Sequence, residues 1–328
     1  MFYDLIPIKT LHESEEICIN GVNFEYREGI LRDQLMYSQA QKQTAEVFGY
    51  KWRKTNTYDS QVARKRTRVW LNKRYGEAKS YEWLVGGNPL LLDAGVGAGL
   101  SALEWFRDVL NKIRFIGVDI SSSVEIARQR FASAGFKAEF LQTSIENIPF
   151  PDESIDVIFS EGVLHHTNST QNSFKKLVRL LKKDGRFLFY IYRKKGPIRE
   201  FCDDYIRSQI QDLSCEKAWE DIKSLSKLGK ILGDLNIEIE IPEEIKSLNI
   251  PAGKINLQRF FYWHIFKAFY HPDLNLEELT HINYDWYAPR NAHRHTEDEI
   301  IQWCNEEKLE IERIDIEPAG ISVIARKA

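Results

Sequence analysis

The apolar positions of this chain change period several times, and each change marks an element. Residues 89–94 (PLLLDA) form an apolar run that reads as a buried strand, residues 95–99 (GVGAG) break it, and residues 98–110 continue with helical spacing. A second run, RFIGVD at residues 114–119, reads as another strand ending in an acid. Upstream, residues 18–26 (CINGVNFEY) alternate about Asn20-Gly21, the pattern of a two-residue hairpin turn. Residues 39–48 have helical spacing, with a turn expected at Gly49. Beyond residue 193 the chain is charged and helical in pattern, with a short alternating run at residues 237–242 and a dense set of aromatics from 260 to 287. Thr296 followed by Glu299 forms a capping box, so a helix is expected to start there.

The glycine segment carries the first chemical information. Glycines at 95, 97 and 99 allow positive φ and close approach of a ligand to the backbone, and the helix that follows offers unpaired N–H groups to an anion. Asp119 then stands at the tip of the neighbouring strand, where a carboxylate can accept hydrogen bonds from two ribose hydroxyls. The dinucleotide fingerprint asks for glycine where this chain has Leu100, so it is not matched. Asp93, two residues before the first glycine, is the distinguishing acid.

This arrangement resembles motif I of the class I S-adenosylmethionine-dependent methyltransferases. Residues 141–160 look like that family's third-strand loop and fourth strand, followed by EGVLHHT at 161–167. Residues 177–192 resemble its amphipathic helix, glycine turn and fifth strand, and residues 309–317 and 320–326 its last two strands. The resemblance covers roughly residues 86–195 and 296–328. It implies an α/β Rossmann-like fold with a seven-stranded, mostly parallel sheet whose last strand is antiparallel. It also implies S-adenosyl-L-methionine as cofactor, contacted by Asp93, Ala94, Gly95, Gly97, Gly99, Asp119, Ile120, Ser144, Ile145, Ser160 and Glu161. The family usually carries an acid at Ser144 that accepts from the adenine amino group. A hydroxyl accepts without charge, so the backbone of Ile145 is expected to share that contact.

The parts flanking this core suggest four segments: a hairpin and helical cap over residues 1–85, the cofactor-binding core over 86–195, an inserted aromatic lid over 196–295, and completion of the core sheet over 296–328. The hairpin is similar to the N-terminal zinc ribbon of some methyltransferases, yet of the metal cysteines at most Cys18 is present, which leaves an unmetallated remnant or an unrelated hairpin. The cap brings Trp52 and Tyr58 toward the cofactor pocket or into simple packing. Because ligands of open α/β sheets lie beyond the carboxyl ends of the strands, the lid is expected to roof the methyl group. Its candidate substrate contacts are Tyr284, Asp285, Trp286, Arg290 and His293.

Methyl transfer is an in-line displacement that needs alignment and exclusion of water, with a base where the acceptor is a hydroxyl. His165 and His166, after the fourth strand, are candidate bases or loop-fixing residues; His293, oriented by Asp285, is the alternative. A metal on His293, His295 and Asp285 is not expected. Four scattered cysteines indicate neither a disulfide scaffold nor a zinc site, no leader pattern stands out, and the most apolar run, residues 260–266, is too short to cross a bilayer. A soluble, cytoplasmic protein is the expectation, with the oligomeric state open. The 45 basic and 48 acidic residues argue against a general nucleic-acid binder, and a small-molecule acceptor is expected. Residues 51–74 nevertheless hold nine basic side chains against Asp59, a solvated face or a surface for an anionic substrate. An RNA or protein methyltransferase, or a non-catalytic cofactor-binding module, are the alternatives.

Overall fold

The computed structural model describes residues 12–328. Three short strands come first: β1 (Glu15–Ile19), β2 (Val22–Arg27) and β3 (Ile30–Asp33). Two helices follow, α1 (Gln39–Arg53) and α2 (Gln61–Tyr75). The core then alternates: β4 (Leu90–Ala94), α3 (Leu100–Trp105), β5 (Arg114–Asp119), α4 (Ser123–Ser133), β6 (Glu139–Gln142), β7 (Ile155–Glu161), α5 (Thr170–Leu180) and β8 (Leu181–Tyr192). An insertion carries α6 (Pro197–Ile210), α7 (Cys215–Asp234), a small ribbon of β9 (Glu238–Ile241) with β10 (Gly253–Asn256), and α8 (Leu276–Tyr287). Helix α9 (Glu297–Glu306) and strands β11 (Leu309–Ile316) and β12 (Gly320–Lys327) close the chain, and α9 does begin on the Thr296–Glu299 capping box.

The strands form one ten-stranded sheet in the order β1-β2-β3-β6-β5-β4-β7-β8-β12-β11. Seven of them, β6 to β11 in that order, make the expected Rossmann-like sheet. Its strands β6, β5, β4, β7 and β8 are parallel, and β12 runs antiparallel to both β8 and β11. Both faces are covered. Leu90, Leu92 and Ala94 pack into one core cluster while Leu91 packs into the other, the alternation of a strand buried on two sides.

Three features differ from the sequence expectation. The Asn20-Gly21 hairpin is no separate module, because β3 adds in parallel to β6 and carries β1 and β2 onto the edge of the main sheet. Among the described residues no group of three His, Cys, Asp or Glu side chains converges as a metal site, and Cys18 is exposed. Helix α1 does not turn at Gly49. It runs on to Arg53, and a Cβ at Gly49 would lie 3.0 Å from Ser122 Oγ, so this glycine serves close packing of α1 on the start of α4. Finally, α3 is shorter than the apolar spacing of 98–110 suggests, ending at Trp105. No described helix is long and apolar enough to cross a membrane.

Candidate active site

Beyond the carboxyl ends of β4, β5 and β7 lies a cavity, open in part to solvent and with about 630 Å³ of empty space in and around it, lined by Gly95, Gly97, Asp119, Ile120, Ser144, Ile145 and Glu161. Its other wall is α1, which presents Gln41, Thr44, Phe48 and Trp52, one face of the helix. The glycine loop follows from its backbone: Gly95, Gly97 and Gly99 all have positive φ, and a Cβ at Gly97 would come within 2.9 Å of Trp52 Nε1. Asp119 organises this loop. It accepts from Gly97 N and Ser121 N, each at 2.8 Å, and from Ser121 Oγ at 2.6 Å. A carboxylate offers about four acceptor positions, so Asp119 keeps capacity for a ligand hydroxyl. Asp93 is buried at the base of the loop, and burial, with Asp119 and Glu161 adding, holds its carboxyl well above the ordinary range. A cationic ligand would relieve that penalty. The cradle and its acids therefore fit a sulfonium nucleoside.

Other expected cofactor residues act from behind. Ser160 Oγ donates to Ala94 O at 2.9 Å, tying β7 to β4, and Gly99 packs on Phe131. Ser144 caps the turn at residues 145–147 through Glu146 N at 3.3 Å. The added strand β3 supports this turn, since Asp33 accepts from Thr143 Oγ1 and from Tyr37 OH, and Ser144 N donates to Tyr37 OH. Glu161 lines the cavity, but Arg74 Nη1 at 2.8 Å and Tyr75 OH at 2.5 Å hold its carboxylate.

A second, larger cavity, likewise open in part to solvent and with about 1450 Å³ of empty space in and around it, meets the first along a common wall of Phe48, Trp52, Glu161, Gly162 and His166. Its remaining walls come chiefly from α2, β8 and the insertion, with further residues from α1, the start of α3 and the loop between β11 and β12. His166 is almost fully buried, and its Nδ1 faces Asn291 O at 2.6 Å, so Nδ1 carries the proton. Nε2 has no partner among the described residues and carries the lone pair. Burial pushes this imidazole down to about 3, so it is neutral at physiological pH.

Comparison with known proteins places this geometry. Residues 92–189 match the methyltransferase domain family. The chain is 31% identical over 173 residues to an uncharacterised methyltransferase of Bacillus subtilis, covering 50% of this chain and 67% of that one. The chain is a class I S-adenosylmethionine-dependent methyltransferase. It is also similar to the ubiquinone/menaquinone biosynthesis C-methyltransferase of Vibrio vulnificus, 28% identical over 120 residues, 35% of this chain and 46% of that enzyme. Thus it spans two thirds of the first relative and less than half of the second. Among solved structures, a magnesium protoporphyrin IX methyltransferase from Synechocystis aligns with 90% of this chain and 100% of its own at a TM-score of 0.47 and 12% identity.

The lid residues expected to touch substrate are distributed differently in this methyltransferase. Asp285 lines the larger cavity, held by Lys51 Nζ at 2.9 Å and Lys267 Nζ at 3.3 Å, and these cations keep its carboxyl well below the ordinary range despite burial. Tyr284 and Trp286 point elsewhere. Tyr284 is packed against Tyr50 and Trp219, and Trp286 donates Nε1 to the buried Asp203 at 2.7 Å. Arg290 pairs with Asp212 outside both cavities. His293 lies behind the turn at residues 164–166: its N donates to His165 O at 2.9 Å and its Nε2 is 3.0 Å from Thr167 O, which makes it a strap that lines neither cavity. His165 is stacked on Tyr192 at 3.6 Å and accepts from Tyr192 N, so it too is structural. His295 sits 2.9 Å from Thr170 Oγ1, apart from Asp285.

Several cavity residues had no counterpart in the sequence reading. Gln41, Thr44 and Phe48 were visible only as one face of a helix whose partner was unknown. Arg66, Trp70 and Arg74, spaced i, i+4, i+8 on α2, were hidden in the basic run. On another face of α2, Arg64 and Arg68 grip the buried Glu104, each at 2.6 Å.

Proposed function

We propose that this methyltransferase acts on a small-molecule acceptor held in the larger cavity, and that His166 Nε2 receives a hydrogen bond from the acceptor's O–H or N–H. One observation carries this reading: the two cavities share a wall to which His166 belongs, and the buried Nε2 of that residue has no partner among the described residues. The bound cofactor supplies an electrophilic methyl group on a sulfonium. The chain does the rest. Asp119 and the glycine backbone hold the ribose side, Ser144 and Ile145 the adenine side, and Phe48 and Trp52 exclude water between the cavities. The carbonyl of Asn291 fixes the His166 tautomer, and the strap of residues 291–295 fixes the turn that carries it. A neutral imidazole adds no positive charge beside a sulfonium and, by accepting a hydrogen bond, orients the acceptor; from a hydroxyl acceptor it can also take the proton, which methylation makes strongly acidic. The basic run supports a small acceptor as well, because Arg64, Arg68 and Arg74 are engaged by Glu104 and Glu161 and present no uniform cationic surface.

The test supplies methyl-labelled S-adenosylmethionine and a cell extract separated by size. Label is expected in the fraction below roughly the size of a short peptide, and His166→Gln should abolish most turnover while leaving S-adenosylhomocysteine affinity within a few-fold. Label in RNA or protein would overturn the small-molecule reading, and unchanged turnover in His166→Gln would remove His166 from the chemistry.

A further inference from the structure

Five cationic side chains line the larger cavity: Lys51, Arg66, Arg74, Arg259 and Lys267, the first and last of which share Asp285. Arg74 is buried on Glu161, with Glu317 at 3.7 Å. That leaves Arg66, from α2, and Arg259, from the turn after β10. Among the described residues neither has a carboxylate within ion-pair distance. Among the described residues the one hydrogen-bond partner of these two guanidiniums is Tyr270 O, 3.2 Å from Arg259 Nη2. Glu278, on the same wall, is taken up by Ser60 and by the N-cap of α8. Both guanidinium carbons instead lie over one aromatic ring, Phe269, at 4.9 and 5.8 Å. Two like charges gathered at a buried ring are costly without a counter-charge. Burial first, and then Arg259 and Arg74, push the Arg66 guanidinium below its ordinary range, which records that cost.

We propose that the acceptor is an organic oxyanion, a carboxylate or a phosphate ester, whose charged group is gripped by Arg66 and Arg259 beside Phe269. Planar guanidiniums match both groups through paired N–H donors, and the aromatic floor accommodates the apolar part of the same molecule. This rests on the reading of the larger cavity as the acceptor site, and it narrows that reading to acids.

The experiment measures binding of three fragments by ligand-observed NMR: benzoate, phenyl phosphate and neutral benzyl alcohol. Each is titrated into cofactor-free and S-adenosylhomocysteine-loaded protein, so a failure of the cofactor assignment leaves the anion result decisive by itself. At least one anion should bind, and should weaken on the order of ten-fold or more in Arg66→Gln and in Arg259→Gln, the loss of about one charged hydrogen bond. Lys65→Gln, an exposed change on the same helix, should leave binding unaltered. The tighter of the two anions identifies the group. Should the arginine variants unfold, added salt on the wild-type protein still decides, because anion binding must weaken and benzyl alcohol must not. Anion affinity that ignores both arginines, or matches that of benzyl alcohol at all salt concentrations, overturns the proposal.

Discussion

Removing the Asp119 carboxylate is expected to weaken S-adenosylhomocysteine far more than removing the Ser144 hydroxyl. Asp119 accepts three hydrogen bonds from the loops that form the cofactor cavity, two of them from the backbone of Gly97 and Ser121. Asp119→Ala therefore loses a charged acceptor for the ribose and leaves Gly97 N–H without its partner. A hydrogen bond to a charged group is worth about 1.5–3 kcal/mol, which corresponds to roughly ten- to a hundred-fold in affinity. Ser144 contributes a single neutral cap, 3.3 Å from Glu146 N. Its loss costs about 0.5–1.5 kcal/mol, or roughly ten-fold at most. Asp119→Asn should fall between, since its amide keeps one acceptor oxygen but turns N–H toward groups that already donate. Titration calorimetry with S-adenosylhomocysteine, on variants shown by circular dichroism to be folded, reads all three. Equal losses in Asp119→Ala and Ser144→Ala would mean that Asp119 does not hold the ribose.

Two further outcomes concern stability. Buried His166 stays neutral down to about pH 3 while its unfolded counterpart takes a proton near 6.5, so it contributes stability above pH 6.5 that is lost as pH falls. The raised carboxyls of Asp93, Asp119 and Glu161 act in the opposite sense. The quantity to read is therefore the difference between wild type and His166→Asn, whose unfolding free energy should decline less steeply below pH 6.5 by up to about 1.4 kcal/mol per pH unit; parallel curves in urea would contradict this. Reversing charge at Arg64 and Arg68 should destabilise the fold, because Glu104 between them is buried. Both arginines are more than a third exposed, so the loss is set at about 2–4 kcal/mol, toward the lower end for a broken buried pair. Lys65→Glu should be neutral in the same urea titration, and an unaltered double variant would show that Glu104 does not depend on them.

The cofactor half of the site was legible because its chemistry is tied to backbone geometry that few residues allow. Glycines at 95, 97 and 99 and an acid at a strand tip have one common explanation, and the structure places Gly95, Gly97 and Asp119 on one cavity. The acceptor half was not legible, because residues on a helix are separated by about 100° and the sequence does not state which direction is inward. On α8 the cavity face is Glu278, His281, Ile282 and Asp285. Tyr284 and Trp286, immediately beside Asp285, point into packing. The same uncertainty of phase divided the basic run of α2 into a cavity face and a Glu104 face. The sheet was underestimated for another reason: parallel pairing of β3 with β6 joins segments more than a hundred residues apart, and local alternation carries no record of such a partner.

The insertion between β8 and α9 leaves and rejoins the sheet at a single point. Tyr192 O accepts from His295 N at 2.9 Å, His295 O accepts from Lys194 N at 3.0 Å, and Arg193 and His295 form a parallel bridge. With its ends clamped together, the cost of closing this excursion grows only slowly with length, about 0.6 kcal/mol for each doubling. The protein thus has the anatomy of a socket and a plug. The sheet and its glycine loop can remain fixed while the intervening hundred or so residues vary in length, provided that the residue-291–295 strap beneath His165 and His166 is kept with the socket and that the plug still supplies a carboxylate for the buried Lys51.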